Sequence, residues 1–166
     1  MRVSLVFISL ILLMLCAPCA RAQEMTEIHH LDFGEFGLGD NTHPATIVIP
    51  PDDSGDATYS DGIVPGTRPA RSGEYDLTGL PHNIILHTGV DMPIAPEGGV
   101  VVDNSSNLSK PGEPSFTVDH FTTNSPETDN SGEATLFIGA TLTTSGNGSL
   151  YHDGDYDGTL DVTFFY

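Results

Sequence analysis

The chain has 166 residues, and its 23 acidic and 5 basic side chains leave a formal net charge of −18. Charge of this sign and size repels phosphate, which argues against duplex DNA or an anionic membrane surface as a partner. Its 18 glycines and 12 prolines argue against a helical bundle, and a 38% hydrophobic content argues against full disorder.

Residues 1–22 are expected to be a secretory signal. Arg2 supplies the positive start, and Val3 to Leu15 form an apolar run too short to cross a bilayer. Ala20-Arg21-Ala22 puts small residues at the two positions a signal peptidase reads, so Gln23 is the expected first mature residue. Lipidation asks for a small residue before the cysteine, and Leu15 and Pro18 precede Cys16 and Cys19 instead. Cleavage removes 22 of 166 residues and leaves 144, enough to bury one self-sufficient core. Both cysteines leave with the signal, so the mature chain has no disulfide, thiol nucleophile or cysteine metal site. Three cations remain, Arg68, Arg71 and Lys110, against 23 acids, a net charge of −20.

The mature segment, residues 23–166, is expected to be one domain. Its β-rich runs are short and bounded by turn residues. In order they are Ile28–Phe33, Ala45–Ile49, Glu74–Thr78, Asn83–His87, Val100–Val102, Phe116–Thr122, Glu133–Thr143 and Tyr156–Tyr166. The last two alternate most clearly. Ala134, Leu136, Ile138, Ala140 and Leu142 share one face, as do Tyr156, Gly158, Leu160, Val162, Phe164 and Tyr166. Period-two alternation of this kind predicts a strand with one wet face and one core face. Pro50–Asp56, Ser125–Gly132 and Thr144–Asp155 read as loops. The whole pattern predicts an antiparallel β-sandwich or barrel.

Several strings, taken in order, resemble a bacterial secreted family. They are Leu31-Asp32-Phe33-Gly34, Tyr75-Asp76-Leu77-Thr78-Gly79, Asn83–Leu86, Phe116–Phe121, Gly132–Leu142 and Gly154–Tyr166. The family is domain of unknown function 4402. The G-x-Y-x-G turn at Gly154–Gly158, followed by a terminal strand ending in Tyr, is also similar to the spore coat protein U and archaic chaperone–usher pilin group. The resemblance implies an immunoglobulin-like, pilin-like sandwich at the cell surface. Pilin relatives lack one strand and are completed by an extended segment of a neighbour. Here only Gln23–His30 precede Leu31, with Met25 and Ile28 as their apolar residues, which is short for a donor strand.

Asp153, Asp155 and Asp157, with Gly158, follow the first half of a calcium loop, although Phe164 stands where the closing carboxylate belongs. The alternative is a turn in which glycine supplies positive φ. The seven histidines show neither the strand nor the helix spacing that gathers imidazoles on a metal. No nucleophile elbow, H-E-x-x-H or phosphate loop occurs, so no enzyme activity and no required cofactor are expected. Tyr59, Tyr75, Tyr151, Tyr156 and Tyr166 are candidates for a sugar platform or for core packing. The function expected is that of an exported structural or adhesive surface protein, such as a fimbrial subunit joined to others by strand addition. A free-standing extracellular module for calcium or glycan is the alternative.

Overall fold

The computed structural model describes residues 22–89, 99–102 and 107–165. Of the expected signal only Ala22 is among them, and Tyr166 also lies outside. The described chain is all-β, without a helix, and no helix is long and apolar enough to cross a membrane. Among the described residues there are twelve strands: β1 (Glu24–His29), β2 (Phe36–Leu38), β3 (Thr46–Ile49), β4 (Thr58–Tyr59), β5 (Ile63–Pro65), β6 (Gly73–Thr78), β7 (His87–Gly89), β8 (Gly99–Val102), β9 (Asn107–Leu108), β10 (Phe116–Thr123), β11 (Ala134–Thr143) and β12 (Val162–Phe165). The pairings are antiparallel except for β7 with β8. The large sheet runs β1-β6-β11-β10-β9, with β3 and β4 branching from β11. Two small sheets, β2-β5 and β12-β8-β7, accompany it.

Strand β11 organises the molecule. Leu136, Ile138, Ala140 and Leu142 face inward with almost no exposure, as their alternation predicts. Each of the large ones contributes about 1.5–3 kcal/mol through burial. Leu77, Tyr75, Val118, Phe116, Ile47 and Ile49 join them from neighbouring strands in a single core cluster.

One edge of β11 is covered by two strands laid end to end. Strand β3 pairs with Ala140–Thr143, and β6 pairs with Ala134–Ile138. Strand β10 pairs with Ile138–Thr143 from the opposite side. The Asn124 side chain prolongs that side, since its Oδ1 accepts from the Phe137 amide and its Nδ2 donates to the Thr135 carbonyl. Strands β3 and β6 therefore form one interrupted strand, from which residues 50–72 leave and return. Pro50 and Pro51 mark the exit, because proline has no N–H for the ladder. The Ser72 hydroxyl donates to the Asp52 carbonyl at 2.6 Å and ties exit to return. Gly139 sits opposite the break, packed against the Ile49 carbonyl and the Pro50–Pro51 backbone.

Strand β1 is an edge strand on β6. A bulge at Ile28 and exposed acids at Glu24 and Glu27 mark it, features that discourage edge-to-edge pairing. The expected run Ile28–Phe33 thus lies further upstream in the structure, at Glu24–His29, and Leu31–Phe33 serve instead as the link to β2. The expected run Tyr156–Tyr166 becomes a strand only at Val162. Before that point the segment has one bridge, between Asp157 and Ser109, and the alternation survives as half-buried Tyr156 and Leu160 beside exposed Asp161. Asn83–His87 holds an isolated bridge from Ile85 to Glu127, and the strand begins only at His87.

Two loops are pinned by polar side chains. Asn41 is buried, and its amide donates to the Ser145 hydroxyl at 2.9 Å and the Ser149 carbonyl at 2.7 Å. Its Oδ1 accepts from the Gly146 amide at 3.0 Å. Asn41→Leu is expected to lower the unfolding free energy by about 2 kcal/mol, because one substitution strands three partners. Urea titration checks this, and Asn41→Asp should fail similarly because it removes both donors.

Asp129 holds the turn before β11. Its Oδ1 accepts from the amides of Glu133 at 2.9 Å and Ser131 at 2.7 Å. These two bonds, Glu133 first, pull its carboxyl below the ordinary value of 3.8. A depressed carboxyl stabilises the fold above its unfolded value, and that contribution is lost as pH falls through the folded one. Asp129→Asn should therefore melt below wild type at neutral pH, and the gap should close in acid below 3.8. Thermal midpoints across that range are the check.

Candidate functional site

An open groove of about 1140 Å³ lies on one face of the large sheet. Its floor is the large sheet, at Tyr75, Phe116, Val118, Phe121 and Leu142. One wall is the segment 30–38, which leads into β2, and the other is the segment 151–160, which leads into β12. Among the described residues β2 pairs only with β5, and β12 belongs to the other small sheet. No strand joins these two small sheets among the described residues, and the groove opens between their leading segments.

Four of the aromatic rings that line the groove form a cluster. Phe116 stacks on Tyr151 with centroids 4.2 Å apart and meets Tyr156 edge-on at 4.9 Å and Phe36 at 5.7 Å. Offset and edge-on pairs of this kind add about 0.5–1.5 kcal/mol each beyond area burial. The Tyr151 hydroxyl accepts from the Ser145 amide and donates to the Ser115 carbonyl, and the Tyr156 hydroxyl donates to the His152 carbonyl. Removal from water, together with the nearby Glu113 carboxylate, pushes the Tyr156 phenol above its ordinary value. Tyr75 is raised chiefly by burial. Tyr151 and Tyr156 are held as packing and hydrogen-bonding groups, and Tyr75 is packed in the core.

The rim is mostly acidic. Glu27, Asp32, Glu35, Asp153, Asp155 and Asp157 border it, against Arg68, His30 and His152. Arg68 lies 3.5 Å from Asp32. Glu35 accepts from the Thr67 hydroxyl at 2.7 Å, which holds its carboxyl below the ordinary value. Hydrogen bonding to His152 at 2.8 Å does the same for Glu113. These bonds tie each wall to the body of the domain.

The turn at Asp153–Gly158 forms part of the second wall. Lys110 reaches into it, and its ammonium donates to the Asp153 carbonyl at 2.6 Å and the His152 carbonyl at 3.5 Å. The same ammonium lies 5.7 Å from the centre of the Tyr156 ring. Gly154, at φ 140°, packs against it, and a Cβ there would meet Nζ at 2.7 Å. Asp153, Asp155 and Asp157 are all exposed. Among the described residues no group of three or more His, Cys, Asp or Glu side chains is placed to hold a metal ion. The donor set expected for calcium is thus not gathered, and the lysine ammonium occupies the inner side of the turn. Such a positive charge opposes a hard divalent cation beside it.

His29 lies 3.8 Å from Glu74, His30 3.9 Å from Glu27, and His120 2.6 Å from Asp119. His120 has positive φ, 51°, at the bulge of β10.

Sequence reasoning found Tyr75, Tyr151 and Tyr156 but not the ring cluster. Phe36 and Phe116 are separated by 80 positions, and only the packing of β2 on the large sheet brings them together. Lys110 carried one available signal, as the lone lysine of the sequence.

A family model described as Domain of unknown function (DUF4402) matches residues 24–166. No curated protein matches the chain, and no solved structure matches it.

Proposed function

The chain belongs to the DUF4402 family, and from that premise we propose that it is an exported, non-enzymatic structural or adhesive surface protein that assembles with other subunits. The observation that carries this reading is the groove between the two small sheets, with an apolar aromatic floor and an acidic rim. An extended segment with alternating apolar side chains fits such a place, and its backbone adds to neighbouring extended chain. A rim with six acids suits a segment with neutral or basic flanks.

Strand β1 is already paired with β6 of its own chain. The short N-terminal run therefore serves its own sheet, and the segment that fills the groove comes from another subunit. In this reading the sheets form a two-layer, immunoglobulin-like sandwich whose second layer is incomplete. The apolar run of residues 3–15 and the small residues at 20 and 22 support export to the periplasm, the outer surface or the medium. A net charge far from zero keeps an exported module dispersed until it meets its partner.

Co-purification tests the reading. The protein should be recovered from the cell surface in a complex with other exported subunits. A protein that stays monomeric outside the cytoplasm, and never accompanies a surface assembly, contradicts it. Binding to a glycan array by the monomer would favour the second reading, which rests on Tyr151 and Tyr156 lining the groove.

A further inference from the structure

We infer that Gln23 is a modification site: once the leader is removed, its side chain closes on its own α-amine to give an N-terminal pyroglutamate. The inference rests on the export reading, which makes Gln23 the first mature residue. Two observations in the structure support it independently.

The first is an orphaned amide. Gln23 is partly buried, and its Nε2 is shut off from solvent without a hydrogen-bond partner among the described residues. Buried amide nitrogens are nearly always paired, so this one calls for an explanation. Cyclisation removes that atom from the protein. The uncharged α-nitrogen attacks the side-chain Cδ, and the N–Cδ bond forms. The Cδ–Nε2 bond breaks, a proton passes from the attacking to the leaving nitrogen, and ammonia departs. No oxidant, reductant or co-reactant is needed. An α-amine titrates near about 8, so a useful fraction is uncharged at neutral pH.

The second is the crowding just ahead of it. Gly79, at φ 73°, packs directly against the Ala22 carbonyl and the Gln23 Cα. Glu24, the next residue, is already paired with Thr78 in the ladder. With β1 docked, the Ala22–Gln23 backbone is held against Gly79 at the sheet edge, a contact that a peptidase binding an extended segment has to displace. Leader removal therefore precedes docking of β1, and it leaves Gln23 free to cyclise before its side chain is enclosed.

The product has no α-amine, so aminopeptidases cannot start on β1. That strand covers the edge of β6, and losing it would expose a row of backbone groups. The modification thus protects the edge that keeps the large sheet closed.

Intact-mass and N-terminal peptide mass spectrometry on the exported protein tests this. The expected mass is that of residues 23–166 less one ammonia, with resistance to aminopeptidase. Gln23→Glu, exported in parallel, should keep its free amine, because hydroxide leaves far less readily than ammonia. A chain that starts at residue 23 and retains an open glutamine after prolonged storage at neutral pH overturns the cyclisation while leaving export intact. A chain that starts at any other residue overturns the cleavage reading, and the inference falls with it.

Discussion

Gly139→Ala is expected to destabilise the protein by about 3 kcal/mol, the upper end of the usual cost of over-packing a filled site. The added methyl would run into the Ile49 carbonyl and lie 2.7 Å from the Pro50 carbonyl carbon and 2.8 Å from the Pro51 nitrogen. All three are backbone atoms, so no side-chain rotation relieves the contact. The chain must give way where β3 ends, and Ile47 and Ile49, both fully buried, move with it. Total stability of a domain this size is about 5–15 kcal/mol, so the loss is a large share. Gly37→Ala is the matched control. Its methyl would lie 4.0 Å from the Val64 carbonyl, at an ordinary φ, and should leave stability within about 0.5 kcal/mol. Urea denaturation of the two variants measures both effects.

Phe116→Ala should cost about 3–5 kcal/mol, the range for removing a buried phenylalanine. Phe116 is 4% exposed and is the ring that Phe36, Tyr151 and Tyr156 all contact. It thereby links the floor of the groove to both walls. Its loss should loosen the segment 151–160 before the large sheet melts, since β11 and its neighbours keep their own pairing. Amide exchange should then speed up in 151–160 more than in β11. Phe116→Leu keeps most of the volume and should recover a good part of the stability. Uniform acceleration across both regions would mean that the wall and the sheet do not open separately.

What was legible in the sequence tracks how long each strand is and whether one face is buried. Strands β3, β6, β10 and β11 fall within one or two residues of their expected runs, because Leu136, Ile138 and Leu142 alternate with Thr135, Thr141 and Thr143 over a length that only a strand explains. Strands β2, β4, β5 and β9 have two or three residues each, too few for any period to show. The interruption of the β3–β6 strand was hidden for another reason. Pro50-Pro51 reads as a loop in any context, and its return to the same edge at Gly73 depends on β11, which comes some sixty residues later. The terminal run shows the limit of alternation as a guide. Tyr156, Leu160 and Val162 face the core as predicted, yet a strand exists only from Val162 onward, where β8 supplies a partner. Alternation fixes which side chains point inward, and the neighbour decides whether the backbone forms a ladder.

The groove was the least legible part. Its floor comes from three strands and its walls from opposite ends of the chain, so no local string describes it. The acidic turn was legible, but the lysine that reaches into it was not. Asp153, Asp155 and Asp157 suggested a cation from outside, while the structure brings the ammonium of Lys110 from the segment after β9.

The central claim is that the groove receives an extended segment of another subunit. A photo-crosslinking residue at position 37 tests it most directly, because Gly37 is exposed, lines the groove and tolerates a side chain. In the protein on the cell surface, the account predicts crosslinks to a second polypeptide, mapped to a stretch of alternating apolar residues. Crosslinks confined to the same chain, in a protein otherwise folded and exported, would contradict it.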